Sequence, residues 1–418
     1  MRRLRPAVRW WRRTCVTFRV STNSAAFARD YTPKVAAERA VSITMPVRTA
    51  SWNTQHGLAP IFDMNLPEGA LRAYLMRSFA KATGTFDDFD LLAVVGRTQI
   101  GRTRYSDLDA ELNEDVPFQS IDEILSAKRG GELFAYLLEK FAVHSGLSGI
   151  QPKVMIRAVE DAGRSAGDRQ SQGFHSATHI VKFWDPNEYP ELAANEHFCL
   201  SAAKAMGLTV PDFQLSDSGA AIVVKRFDLR LDGIYLGYED FCVLNGVPTT
   251  EKYNGGYETR LFKGAREFID PAGQRNALED LFKLFVLNCA LRNGDAHLKN
   301  FGVIYEDVTG PARLAPVYDL VSTVPYLPKD GMALTLNGST NWPDRKALVR
   351  LGQTRCDLSL QAINKIIEQA ADVLAKLAPE VTKYFSENSA HREIGDKLLA
   401  AWQTGIRESL GFSSDVLG

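Results

Sequence analysis

The chain has 418 residues, 49 Lys and Arg against 50 Asp and Glu, 45% hydrophobic and 24% charged residues. That length buries a full core divided over two or three lobes, and a net charge of −1 excludes a whole-surface electrostatic footprint for nucleic acid. The scattered Cys15, Cys199, Cys242, Cys289 and Cys356 never form Cys-x-x-Cys, which argues for reduced thiols in a cytosolic protein and against a disulfide frame or zinc site.

The first fifty residues carry eleven Lys and Arg against Asp30 and Glu38. Arg9, Arg12 and Arg13 interrupt every apolar run of the roughly 7–15 residues that a secretory signal needs, so residues 1–26 read as an unassigned basic start. No window approaches the ~18 apolar residues of a membrane span. Val41–Met45 reads as a short strand, Pro67 and Glu68 open a helix, and a second helix lies near Asp87–Val95. Arg102–Val116 and Ser120–Arg129 have the polar texture of a linker region. Gly131–His144 is helical by spacing.

From Ser145 the texture changes to a glycine-bearing turn, a strand (Val154–Val159), a polar loop (Glu160–Ser176) and the strand HIVKF. A helix over Leu192–Met206 is closed by Gly207, and FQLSDSGAAIVVKRF reads as a hairpin turning at Ser218–Gly219. From Asp228 onward the pattern is mainly helical, with strands expected near Gly302–Tyr305 and Ala333–Leu336.

Four features carry chemistry. In RNGDAHLKNFGV, directly after the apolar segment Leu281–Leu291, Asp295 precedes Asn300 by five residues. That is the spacing of a loop whose carboxylate receives a hydroxyl proton and whose amide oxygen holds Mg²⁺ beside phosphates. Alone the spacing is weak, since helix-capping Asp residues produce it too. Asp319 in PVYDLVS follows nineteen residues later and could supply a second hard oxygen ligand; the plainer alternative is a helix cap. Lys182 lies in an apolar strand, poor core material unless paired, and Glu196 on the next helix is a candidate partner. In SGLSGIQPK, Gly146 and Gly149 permit close approach of backbone N–H groups to phosphate oxygens, although the segment matches neither a Walker loop nor G-x-G-x-x-G. The order of the four is that of a kinase.

Together with THIVKF, NEHFCLSAAKAMGLTVPD, VVKRFD, GYEDFCVLNG with its KYNGG continuation, and APVYDLVS, these segments resemble the HipA family of serine/threonine kinases, the toxins of bacterial toxin–antitoxin pairs. Upstream, AVSITMP, IFDMNLPEG and FDLLAVVGR resemble that family's small N-terminal subdomain; the resemblance covers roughly residues 27 to 385. It implies an α+β, bilobal protein-kinase-like fold with a small N-terminal α/β subdomain (27–130), an N-lobe (131–228) and a mainly helical C-lobe (229–418). It further implies that Asp295 is the catalytic base, that Asn300 and Asp319 bind Mg²⁺, and that Lys182, with Glu196, holds the ATP phosphates. Lys225, Arg226 and Phe227 would form the adenine-side hinge, and His297, Lys299 and Tyr318 would line the nucleotide site. Ser148, Gly149, Ile150, Gln151 and Lys153 would belong to the phosphate-proximal loop.

The family's loop commonly starts with a serine three residues before the glycine matching Gly149, an autophosphorylation site that ejects the loop and switches the kinase off. Here Gly146 stands there, and Ser148 fills a second position that some members phosphorylate. The resemblance implies a cytoplasmic enzyme that phosphorylates an aminoacyl-tRNA synthetase and halts growth. Its partner would be a HipB-like helix-turn-helix antitoxin, through which alone DNA is contacted. A small-molecule phosphotransferase of the aminoglycoside or choline type, and a non-catalytic co-repressor of an antitoxin, are the competing readings.

Overall fold

A computed structural model describes residues 4–8, 18–21, 24–27, 40–54, 57–83, 86–107, 115–159, 176–185, 187–230, 234–387, 391–413 and 416–417. Most of the basic start and most of the polar loop after Val159 lie outside them. The chain divides into two compact units, one comprising Met1–Phe183, Asp212–Glu251 and Gly302–Ala312, the other Trp184–Pro211, Lys252–Phe301 and Arg313–Gly418.

The first unit is mixed α/β. Strands Leu4–Val8, Phe18–Ser21, Ser24–Phe27, Trp52–Asn53 and Thr103–Asp107 form one sheet, with Leu4–Val8 antiparallel to Thr103–Asp107. Part of the expected linker is therefore a strand, because residues 103–107 find a full ladder partner; residues 108–114 are outside the described residues. Helix Asp88–Val95 starts in a capping box: the Asp87 carboxylate accepts from Phe89 and Asp90 N–H, and Asp90 accepts from Asp87 N–H. The second sheet has the order Phe118–Gln119, Lys153–Ala158, His179–Phe183, Ala221–Lys225, Phe213–Leu215. Its core strands are almost wholly buried, as expected of runs such as KVMIRA and AIVVK. The hairpin between Phe213 and Lys225 turns at Gly219, whose φ of 68° suits glycine.

Val41–Met45 forms no strand. Only a Ser42–Met45 bridge is present; the buried Glu239 carboxylate takes the Ile43 N–H that a ladder would have used, at 2.7 Å, and also accepts from the Ser42 hydroxyl at 2.7 Å. Glu239 belongs to a strand that the sequence pattern does not announce, Gly237–Asp240, antiparallel to Gly302–Tyr305.

The second unit is mainly helical. Helix Leu192–Ala205 buries Ala193, Phe198, Leu200 and Ala202, and Gly207 ends it with φ 78°. The 21-residue helix Pro271–Leu291 opens on an Asp270 cap followed by proline, and its last ten residues are almost entirely buried. Helices Arg345–Arg355, Leu360–Glu387 and Arg392–Gly405 complete the unit. The strand expected at Ala333–Leu336 reduces to isolated bridges, Gly256–Thr335 and Leu336–Ser339, since Asn337 turns left-handed (φ 50°) and breaks the extended run. Among the described residues no helix is long and apolar enough to cross a membrane, and Cys199, Cys242, Cys289 and Cys356 are buried free thiols.

Candidate active site

In the first unit, the glycine turn is held from several sides. Ser145 Oγ donates to Phe141 O and accepts from Met155 N–H, both at 2.8 Å, so this buried serine is structural. Gly146 N–H bonds Thr98 O at 2.9 Å, and a Cβ on Gly146 would stand 2.5 Å from Thr98 O and 2.8 Å from Gln99 Cβ. That packing explains glycine where the resembling family commonly has serine. Ser148 Oγ donates to Glu68, which also accepts from Gly149 N–H at 3.1 Å. Gly149 is left-handed (φ 113°), and a Cβ there would strike the Lys153 ammonium, so that ammonium lies directly beneath the loop backbone. Ile150 is exposed, while Gln151 Nε2 donates to Phe183 O at 3.1 Å.

Lys153 and Lys182 are cross-strand partners in the antiparallel pair Lys153–Ala158 and His179–Phe183, and both are buried. Directly opposed residues project on one face with Cβ atoms roughly 5 Å apart. The expected hinge divides by atom type. The Arg226 guanidinium is wholly committed, to Asp228 at 2.6 and 3.0 Å, to Ala177 O at 2.9 Å and to Gln99 O at 2.8 Å. Its backbone N–H is spent as well, on Thr178 O at 3.0 Å. Half-buried Lys225 closes its strand, and the Phe227 ring packs on Tyr238 at 5.5 Å.

In the second unit, the end of helix Pro271–Leu291 aims the Asp295 loop. Arg292 takes a left-handed conformation (φ 58°) and its guanidinium meets Glu408 at 2.8 Å. Asn293 N–H then bonds Asn288 O at 2.9 Å. Gly294 N–H bonds Thr323 Oγ1 at 2.8 Å, and a side chain on Gly294 would run into the Asp330 carboxylate. Asp295 itself stands half-exposed: its N–H bonds Asn293 Oδ1 at 3.0 Å, and its Oδ1 accepts the Tyr253 phenol at 2.6 Å. Enclosure by protein raises its pKa above the ordinary carboxylate value; Tyr253 and Lys252 oppose the rise, and the charges of Asp319 and Asp330 add to it. The charge of Asp319 is thus felt at Asp295.

Asn300 Oδ1 accepts His297 N–H at 3.0 Å, which orients the amide and leaves that oxygen a second lone pair. The Tyr318 hydroxyl donates to Lys299 O at 2.5 Å, tying the segment before Asp319 to the Asp295 loop. Burial, with the charges of Lys252 and Lys299, pushes the His297 pKa down to about 3, so the imidazole is neutral near pH 7. Asp319 is left-handed (φ 49°) and no helix follows it, so it caps none. A non-glycine residue in that region is held there by its surroundings. The next residues are held by Asn195 on helix Leu192–Ala205, whose side-chain amide donates to Ser322 O at 2.8 Å and accepts from Ser322 N–H at 2.9 Å.

Glu196 is buried on the same helix as Asn195, in the second unit, whereas Lys182 belongs to the first. Sequence reading passes over Tyr253, Lys252, Asn195 and Glu68. Each lies in a segment that carries the family resemblance, KYNGG, NEHFCL or IFDMNLPEG, but contact with a functional residue far along the chain leaves no periodic signal.

The profile of the HipA-like C-terminal domain matches residues 145–377, and that of the HipA N-terminal domain matches residues 7–106. The chain thus belongs to the HipA family of kinases. Among its relatives is the Sinorhizobium fredii protein named "Putative kinase Y4mE", 27% identical over 388 residues, 86% of this chain and 87% of that one. A second protein of that organism, Y4dM, is 28% identical over 283 residues; the match spans 64% of this chain and 63% of that relative. Among solved structures, the Shewanella oneidensis HipA complex with HipB and operator DNA covers 97% of both chains, with TM-score 0.63 and 20% identity. That likeness is one of fold.

Proposed function

We propose that the chain is a Mg²⁺- and ATP-dependent protein serine/threonine kinase whose general base is Asp295. The observation that carries this reading is the Asp295 loop: a half-exposed carboxylate with a raised pKa, five residues before Asn300 and under the field of Asp319, at the end of a buried helix. Geometry of this kind suits a group that must accept or orient the proton of an acceptor hydroxyl.

The residues present suit the groups this chemistry needs. Asn300 Oδ1 and the Asp319 carboxylate are hard oxygen donors of the type Mg²⁺ takes alongside phosphate oxygens and water. A bound magnesium ion would neutralise phosphate charge. Lys153 and Lys182 offer two neighbouring cations to phosphate oxygens, and Gly149 lets the loop backbone come close. The neutral His297 ring, Lys299 and Tyr318 would stand on the nucleotide side of Asn300. The backbone of Lys225–Phe227, whose Lys225 and Arg226 N–H groups are already bonded to Asp212 O and Thr178 O, would serve the adenine through its remaining groups.

The substrate we infer is a translation component, an aminoacyl-tRNA synthetase, whose modification arrests growth in the cytoplasm. The partner we infer is a small HipB-like antitoxin; the similar Shewanella structure, which contains HipB and operator DNA, supports that choice. The test of the kinase reading is Asp295→Asn. It should lower γ-phosphate transfer from radiolabelled ATP to purified bacterial synthetases by roughly 10²–10⁴-fold, the usual contribution of a positioned base. Thermal unfolding should hardly change, since the carboxylate packs no core. Near wild-type labelling by this variant would end the reading.

A further inference from the structure

We propose that Tyr253 is the positioning residue of Asp295: its phenol holds Oδ1 of the carboxylate so that Oδ2 is presented to the acceptor hydroxyl. The inference rests on the reading of Asp295 as base and deepens it.

A half-exposed Asp side chain has two rotatable bonds and, left alone, samples several rotamers. The backbone of Asp295 is fixed through Asn293, but that bond does not orient the carboxylate. The Tyr253 hydroxyl does, donating to Oδ1 at 2.6 Å, short for an O–H···O bond and in the range typical of an ionised acceptor. The neighbouring imidazole does not orient it as well, since His297 Nε2 is 3.9 Å from the same oxygen, beyond hydrogen-bond distance.

Tyr253 is itself well placed to act as a fixed donor. Its ring meets the His297 imidazole edge-on, with centroids 4.9 Å apart and planes at 78°. The backbone on either side is bonded to the same loop: Leu298 N–H donates to Lys252 O at 3.1 Å, and the Tyr257 hydroxyl donates to Ala296 O at 2.9 Å. Residues 252–257 and 295–298 are thus laced together at three points, and of these the Tyr253 bond is the one that reaches a side-chain carboxylate. Tyr253 is 46% exposed, so its ring contributes little to the core.

The test uses the full chain, ATP and a degenerate serine/threonine peptide library as acceptor, comparing wild type, Tyr253→Phe, Asp295→Asn and the double variant. A hydrogen bond to a charged group is worth roughly a ten- to hundredfold factor in rate when it acts in the chemical step. Tyr253→Phe keeps the ring on His297 and should lower kcat by about that factor, leaving the KM and dissociation constant for ATP within about twofold. The double variant should be no slower than Asp295→Asn alone, because a residue acting only through Asp295 has nothing left to position. Wild-type kcat in Tyr253→Phe overturns the inference while leaving the base reading standing. Equal losses of kcat and ATP affinity, or additive losses in the double variant, overturn it as well. Asp295→Asn at near wild-type rate removes the base reading itself, whatever Tyr253 does.

Discussion

Asn195 offers a sharp test of how the Asp319 segment is held. Its side-chain amide spans the backbone of one residue, Ser322, accepting the N–H at 2.9 Å and donating to the carbonyl at 2.8 Å; Asn195 and Ser322 are both 0% exposed. The same amide oxygen also accepts from Cys199 Sγ at 3.3 Å. Asn195→Ala removes both backbone bonds and leaves a donor and an acceptor of Ser322 buried without that partner. At roughly 1 kcal/mol for each bond, and roughly 1 kcal/mol more for desolvated backbone left unsatisfied, the loss is about 3 kcal/mol. Denaturant unfolding followed by circular dichroism measures it directly as a fall in midpoint at unchanged slope. Amide exchange at residues 319–323 should rise at the same time, since the segment has lost its anchor to helix Leu192–Ala205. A loss under about 1 kcal/mol, with exchange in that segment unchanged, would refute the clamp.

Three further outcomes follow from the site. Because the base works deprotonated, transfer should fall as pH drops through the raised pKa of Asp295; Tyr253 is one of the groups holding that pKa down, so Tyr253→Phe should move the acid limb to higher pH, and an unmoved limb contradicts the electrostatic picture. If the kinase restrains itself, mass spectrometry should find phosphate on Ser148 in active protein and none in Asp295→Asn: a phosphoserine carries about −1.5 to −2 charges and would stand against Glu68, breaking the Ser148 bond and crowding the one from Gly149 N–H, whereas unmodified Ser148 in both samples excludes the switch. Lys182→Ala and Glu196→Ala should each weaken ATP use by more than the ~0–1 kcal/mol of an exposed ion pair, as read by ATP titration; equal ATP affinity in either variant and wild type removes that residue from the nucleotide site.

The sequence by itself determined many of the elements and the candidates for the site. The capping box at Asp87, the apolar strand HIVKF, the helix ended by Gly207 and the buried run before Arg292 are local signals, written in caps, periodicity and breakers. The spacing of Asp295, Asn300 and Asp319 is equally legible, because the three candidates stand within a short run. Tertiary structure alone decided which residues serve these. Val41–Met45 has strand composition, yet a carboxylate nearly two hundred residues away in sequence takes the Ile43 N–H in place of a ladder partner. Arg226 stands among the residues expected to form a hinge, yet its guanidinium is spent on Asp228 and two carbonyls. Gly146 gives no hint in the sequence of why it is glycine; the carbonyl of Thr98 occupies the space a Cβ needs. Tyr253 and Asn195 find their partners 42 and 127 positions further along the chain. Such contacts come from where the folded backbone brings distant segments together, and a hydrogen bond across that separation imposes neither period nor cap on the residues that make it.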